Sequence, residues 1–417
     1  MRATAFFLFT LAASGQAHAE SEFLGGPVSG LLDLRASAVG GELGWAEGGL
    51  GKLRYGGHGG DDVGRIDLAR GALMWRPQVA WGVEGYVHVE IDPDNENAVD
   101  LAEAYLKWKP LPKNGMSTWV RLGAFYPLVS LEHDGEGWST TRTITPSAIN
   151  SWIGEEVKMA GAEANMKTAL GEGALELTAA AFINNDTAGT LLTFRGWALH
   201  DRQATVFGDF PLPTRDAAFW AARTRQDQHT EPFREIDDLP GYYVRAEYTA
   251  AAPWSLNIFH YDNAGDRRAS DHGQSSWDTQ FTNIGLTVRV AEGTTVLAQA
   301  MNGRTVWAPL VGAPIRYVDD LDFSSAYVLL DHEFAGERGL AGRLDWFETR
   351  DNQKFNYNAV PEHGYAMTAA WLMPLCENLK LIAETVYVDS QRKARLAIGE
   401  QARQTQLELQ ASLRWSF

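Results

Sequence analysis

The chain has 417 residues, 45% of them hydrophobic, and a formal net charge of −17. That charge excludes a nucleic-acid binder, whose surface must neutralise phosphates, and a surface that is strongly basic overall. A single cysteine, Cys376, excludes an intrachain disulfide, and with no apolar run of about 18 residues a helical membrane span is excluded as well.

At the start of the chain Arg2 precedes the apolar run Ala5 to Ala13, and Ala17-His18-Ala19 forms a small-x-small cleavage site before Glu20. This reads as a secretory signal peptide over 1–19, with a mature chain of 20–417. From Val28 onward, apolar and polar residues alternate in segment after segment. The alternation predicts strands at 28–38, 65–75, 79–90, 99–109, 117–126, 157–168, 174–183, 241–250, 253–262, 277–291, 294–303, 321–334, 339–349, 363–373, 379–389 and 404–417. That makes sixteen.

Several of these segments show two faces. In 28–38, Val28, Leu32, Leu34, Ala36 and Ala38 oppose Ser29, Asp33, Arg35 and Ser37. In 79–90, Trp81, Val83, Val87 and Val89 oppose Glu84, Tyr86, His88 and Glu90. In 99–109, Ala102, Ala104, Leu106 and Trp108 oppose Glu103, Tyr105, Lys107 and Lys109; in 339–349, Leu344 and Trp346 oppose Arg343, Asp345 and Phe347. A charge facing a wet lumen costs little, whereas on a lipid face it costs about 2–4 kcal/mol at the midplane. The 15 Trp, 13 Tyr and 18 Phe would supply aromatic belts at both interfaces.

The connections alternate in length. Arg76-Pro77-Gln78, Pro110 to Gly115, Gly171-Glu172-Gly173, Ala251-Ala252-Pro253, Glu292-Gly293, Gly336 to Gly339 and Pro374 to Asn378 are short and rich in turn residues. Those at 39–64, 91–98, 127–156, 184–240, 263–276, 304–320, 350–362 and 390–403 are longer and polar. The expected fold is all-β: a transmembrane antiparallel β-barrel of about sixteen strands, with short periplasmic turns and long extracellular loops. A barrel this wide leaves an aqueous channel unless something fills it. The first strand begins too early for an N-terminal plug, so constriction falls to inward-folding loops.

Two loops are long enough. Loop 127–156 carries Glu132, Asp134, Glu136, Arg142, Glu155 and Glu156, with a short helix expected over Pro146 to Trp152. Loop 184–240 carries Arg195, Arg202, Arg215, Arg223, Arg225 and Arg234, with Asp201, Asp209, Asp216 and Asp227 between them. A loop of that length without structure of its own is uncommon and usually functional.

The last strand, Thr405 to Phe417, puts Leu407, Leu409, Ala411, Leu413, Trp415 and Phe417 on one face. It resembles the closing strand of bacterial outer-membrane barrels, whose terminal Phe is part of the signal read by the barrel assembly machinery. The architecture resembles that of outer-membrane porins, in which the third long loop forms the constriction. More narrowly, Arg121-Leu122-Gly123-Ala124-Phe125-Tyr126-Pro127 followed by Ser130-Leu131-Glu132 resembles a segment of the phosphate-selective porins. The resemblance implies a passive diffusion channel for small hydrophilic solutes or ions in the cell outer membrane. It also implies contact with outer-membrane lipid and lipopolysaccharide, a homotrimer and no cofactor. The small outer residues Ala160, Ala162 and Ala164 fit a flat trimer face. The arginine ladder of phosphate-selective porins is not matched: Arg35, Arg121, Arg245 and Arg414 share the lumen side with Asp33, Glu84, Glu103, Glu163, Glu247 and Glu408.

The candidate pore-lining or constriction residues are therefore Arg35, Glu84, Glu103, Arg121, Arg245 and Glu247 on the wall, and Glu132, Asp134, Arg142, Glu155 and Glu156 on the third long loop. Most would serve as ordinary wet-wall residues. At a narrow eyelet, opposed signs would set a transverse field, and Arg142 facing wall carboxylates is the expected pair. Three further groupings have plainer readings. Asp92 to Asn97 lacks EF-hand spacing and reads as a solvated tight loop rather than a Ca²⁺ site. His58 with Asp61 and Asp62 reads as an outer loop rather than a metal site. Ser130, His133 and Asp134 are sequence neighbours, which does not make a catalytic triad, so no enzyme is expected. The rival to a channel is a non-conducting surface, adhesion or receptor barrel closed by its long loops.

Overall fold

The computed structural model describes residues 21–23, 26–57, 62–213, 226–308, 319–336, 338–352 and 361–417. The expected signal peptide, His58, Asp61, Arg215, Asp216, Arg223 and Arg225 lie outside the described residues.

Sixteen long strands form the wall: β1 Gly26–Gly40, β2 Val63–Trp75, β3 Val83–Ile91, β4 Val99–Trp108, β5 Ser117–Phe125, β6 Met159–Leu170, β7 Gly173–Ile183, β8 Gly241–Thr249, β9 Trp254–Asp262, β10 Asp278–Ala291, β11 Thr294–Trp307, β12 Asp319–Glu333, β13 Gly339–Asp351, β14 Glu362–Cys376, β15 Leu379–Arg392 and β16 Arg403–Ser416. Each pairs antiparallel with its chain neighbours. The ring closes where β16 pairs with β1, from Leu31 opposite Ser416 to Gly40 opposite Leu407. Closure removes both edges, the one way a sheet can satisfy all its backbone groups in lipid. Among the described residues no helix is long and apolar enough to cross a membrane.

The period-two pattern sorts by solvent as expected. Leu344 and Trp346 on β13 are 61% and 45% exposed, while Arg343 and Asp345 are 1% and 3% exposed. On β16, Leu407 and Leu409 face out, and Gln406, Glu408, Gln410, Ser412 and Arg414 are buried inside.

Two local departures from the expected strands have physical causes. The turn expected at Arg76-Pro77-Gln78 lies further along: Gln78–Ala80 pairs back on Val83 and Glu84, and the chain reverses at Trp81-Gly82. Gly82 has φ +70°, which suits glycine, and Trp81 is a 75%-exposed turn residue rather than a strand residue. A bulge between His88 and Val89 shifts the register against β4, and Ala102, expected on the outer face, is fully buried.

A sixteen-stranded barrel is too wide for its own side chains to fill. Here the connections fill it. Helix α1, Ala148–Glu156, is buried along its whole length. A second short helix, α2 Thr190–Phe194, is buried as well. Trp152 and Trp197 from these loops pack with Phe281, Phe323, Phe347, Tyr261 and Phe182 from the wall in one apolar cluster. The molecule therefore has an apolar girdle outside, a largely polar inner wall, and an aromatic centre in which wall rings pack on tryptophans brought in by the loops.

Candidate functional site

The site is the lumen and the devices that hold chain inside it. Loop 127–156 leaves β5 after Tyr126, whose N–H donates to Glu103 at 3.1 Å. It returns across the barrel to the opposite wall. There Glu384 accepts the N–H groups of Ile144 (2.6 Å) and Thr145 (3.0 Å). Helix α1 then starts with Ser147 as its N-cap, accepting from the Asn150 N–H. Asp345 accepts the Ala148 N–H at 3.2 Å, and Glu132 accepts the Ser147 N–H at 2.9 Å. Carboxylates are the groups that helix N-terminal N–H donors favour.

Arg343 locks this arrangement. It donates to Asp345 (2.7 Å), Glu132 (2.9 Å), and the carbonyls of Thr145 (2.7 Å) and Pro146 (2.9 Å). Arg343, Asp345 and Glu132 are all buried.

The C-terminal end of α1 grips loop 184–240. Glu155 accepts from Arg195 at 3.0 Å and meets His200 Nε2 at 2.5 Å, all three being buried. Burial alone would raise the Glu155 carboxyl; Arg195 and His200 overcome that and hold it at about 2. Glu156 accepts from Trp152 Nε1 (2.6 Å) and the Leu191 N–H (2.8 Å). No cation lies beside it among the described residues, and burial pushes it up to about 7. Lys158 donates to the carbonyls of Ala204 (3.0 Å) and Ala102.

A third loop, 41–57, also lies inside, which the sequence reading missed. Lys52 pairs with Glu362 and donates to the Arg195 carbonyl at 3.1 Å. Arg54 pairs with Asp92 (2.8 Å) and Asp94 (2.9 Å), and Arg395 with Glu42 at 2.8 Å. Asp201 of loop 184–240 reaches Arg35 of β1 at 2.5 Å.

The candidate residues separate into two groups. Arg35, Glu103, Glu132, Glu155 and Glu156 hold loops in place through the contacts above. Arg121 pairs with Glu163 on the next strand and donates to the Tyr126 carbonyl at 2.9 Å. Arg245 pairs with Glu247 two residues along its own strand. Arg142 meets Asp134 of its own loop at 2.6 Å and the wall residue Asp331 at 3.5 Å. Glu84 is exposed and has no ion pair among the described residues. Nearly all of these charges are neutralised by adjacent partners instead of facing one another across a gap. Lys52, Asp201, Arg343, Asp345, Glu362, Glu384 and Arg395 were not among the candidates. Lumen-side parity was the available signal for Arg343 and Asp345.

At the short-turn end a cavity of about 370 Å³ remains. Glu84, Tyr86, Glu103, Tyr105, Lys107 and Arg121 form its wall, and Tyr126, His133 and Trp138 form its roof. Lys107 sits over the Trp119 ring at 4.3 Å.

The remaining groupings resolve plainly. Asp92 and Asp94 are held by Arg54, Arg65 and Arg202, an arginine cage rather than a cation site. Ser130 Oγ lies 2.8 Å from His133 Nδ1, but it also accepts the N–H groups of Glu132 and His133, which makes it a turn cap. Asp134 is turned away, bonded to Thr141 and Arg142.

Glu156 yields a pH prediction. Its pKa is raised from 4.5 to about 7 in the folded state, so the folded chain holds a proton that the unfolded chain releases between those values. Its contribution is therefore favourable below about pH 4.5 and is lost as pH rises to about 7, a change of about 3 kcal/mol. Protease access to 184–205 should increase between pH 5 and pH 7.5, and Glu156→Gln should flatten that rise. A pH-independent digestion rate in the unsubstituted protein would refute this.

No family model matches the chain, and no curated protein sequence matches it. Among solved structures it is similar to the outer membrane channel DcaP of Acinetobacter baumannii, at 13% identity and a TM-score of 0.56, over 94% of this chain and 98% of that one. It is also similar to an anion-selective porin from Comamonas acidovorans, at 12% identity and a TM-score of 0.52, over 94% of this chain and 99% of that one. At such identities the likeness establishes the fold: a closed sixteen-stranded antiparallel barrel of the kind found in outer-membrane porins.

Proposed function

We propose that this protein is a passive outer-membrane channel for small hydrophilic solutes or ions, with its narrowest section set by loops 41–57, 127–156 and 184–240. The observation that carries the reading is the reversed polarity of a closed wall. Apolar side chains such as Leu34, Leu344 and Leu409 face outward, and ionic side chains such as Arg35, Arg343 and Glu408 face inward. A wall of this kind is stable only with hydrocarbon outside and polar matter inside. The outer face would contact membrane lipid and lipopolysaccharide, the closing strand would engage the assembly machinery, and three copies would associate. Ala162 and Ala164 face outward, as a close barrel–barrel contact would need. Phosphate selectivity is not part of the proposal, because the inner wall carries paired charges of both signs.

The burial of all of α1 supports a second reading, a barrel that its loops keep closed. Planar-bilayer recording separates the two. A channel gives steady current in steps of three, with a reversal potential in a KCl gradient that reports its charge preference. Silence from folded, heat-modifiable protein would leave the closed barrel standing.

A further inference from the structure

Two levels on the inner face of β10 differ in how their buried side-chain polar groups are satisfied. Toward the long-loop end, Thr279 on β10 is fully buried and fully engaged: its hydroxyl donates to the Ala188 carbonyl at 2.5 Å and lies 2.5 Å from Thr305 Oγ1. Four residues further along the same inner face, about 13 Å away, Asn283 is equally buried, yet neither polar atom of its amide has a partner among the described residues. Its neighbour Asn257 on β9 is 3% exposed and has an unpartnered Oδ1. Asn257 lies over Gly285, where any side chain would collide with it. Between Thr279 and Asn283 stands Phe281, whose ring meets Trp152 of α1 edge-on at 5.3 Å. Trp152 also packs on Phe323 at 5.1 Å and on Trp197 at 6.1 Å.

Burying an amide unpaired costs about 1–3 kcal/mol per group unless water satisfies it. An unpaired amide and an unpaired amide oxygen, diagonal to each other on adjacent strands below an aromatic layer and beside the half-buried Arg245–Glu247 pair, are groups that water would satisfy. At the level of Thr279 the two wall hydroxyls, Thr279 and Thr305, are satisfied by protein alone. An apolar ring of this kind can stop ions by dewetting without sealing the backbone.

We propose that Trp152, Phe281 and Phe323 form a hydrophobic gate, and that Asn257 and Asn283 line a hydrated floor beneath it that admits water and small monovalent ions. Trp152 is the member brought in by the inserted chain, on helix α1, while the two phenylalanines belong to the wall. The inference rests on the channel reading, but its test does not need current.

The exposed Cys376 is first replaced by serine. Asn283→Cys and Thr279→Cys are then treated, in folded protein in detergent micelles, with a charged methanethiosulfonate, and labelling is read by mass. With Trp152 in place, Asn283→Cys should label and Thr279→Cys should stay protected. Adding Trp152→Ala should expose Thr279→Cys to the reagent and raise single-channel current. Asn283→Leu should remove most of the current that the unsubstituted protein carries. Equal protection of both cysteines would mean a dry floor and overturn the proposal. So would labelling of Thr279→Cys with Trp152 intact, continued protection after Trp152→Ala, or an Asn283→Leu variant that is more stable and conducts unchanged. Absence of current in every variant, with the labelling pattern as expected, would count against the channel reading and leave the gate's position intact.

Discussion

Replacing Arg343 by methionine should free loop 127–156 from the wall while leaving the barrel assembled. The substitution roughly conserves volume but strands two carboxylates, Glu132 and Asp345, in a buried site where Arg343 had paired with both. Two loop carbonyls, those of Thr145 and Pro146, lose their donor as well. Breaking a buried pair in this way costs about 3–5 kcal/mol, mostly from the uncompensated charge left behind. The strand ladder contributes none of the lost bonds, so the cost falls on the loop, the less stable unit. The expected result is protease cleavage within 127–156, unchanged heat modifiability, and larger, noisier current. Arg350→Met is the matched control. Arg350 pairs with Glu348 on the exposed outer surface and should change none of these readouts. If Arg343→Met were as protease-resistant as its parent, the role assigned to this arginine would be wrong.

The second large effect is at the junction of the two loops. Glu155→Gln leaves Arg195 buried with its principal partner neutral, and leaves one neutral acceptor oxygen for Arg195 and His200 to share. A penalty of about 3–5 kcal/mol is again expected. The double substitution Glu155→Gln with Arg195→Met should cost less than the sum of the single ones, since the second removes the stranded charge. Additive losses would show that the pair is not coupled. The latch should also resist acid. Glu155 is depressed to about 2 in the folded state, so its contribution is complete above about pH 4.5 and is lost only as pH falls toward 2. Glu156, one residue on, behaves in the opposite sense: its contribution fades between pH 4.5 and 7. The two neighbours differ because one has an arginine and a histidine beside it and the other has only neutral donors.

Such predictions concern loop contacts, and those are the part of this protein that sequence reading served least well. The barrel was legible from periodicity. A strand with water on one side and lipid on the other must alternate, and Arg343-Leu344-Asp345-Trp346 announces its two faces without reference to any other residue. Strand number followed from counting alternating segments, and connection lengths placed the short turns at one end. Even helix α1 was approximately visible, through Pro146 and the apolar spacing after it; what the structure adds is the Ser147 cap and its continuation to Glu156.

What each inward charge does was not legible. Parity places Arg35, Arg121 and Arg343 on the same inner face, yet Arg35 meets a loop aspartate, Arg121 a wall glutamate, and Arg343 both a wall and a loop carboxylate. Strand parity does show the partners two residues along, Asp33 for Arg35 and Asp345 for Arg343; the others, Asp201, Glu163 and Glu132, lie 166, 42 and 211 positions away, and no periodic signal connects them. Loop 41–57 shows the same limit: it is rich in glycine and reads as an outer loop, while in the structure Lys52 and Arg54 are buried among carboxylates from β14 and the β3–β4 connection. The sequence by itself determined the wall, because each residue there answers only to the solvent on its own side. The filled lumen was decided by the tertiary structure alone, because the interior is where charges from distant segments must find one another or pay the full cost of burial.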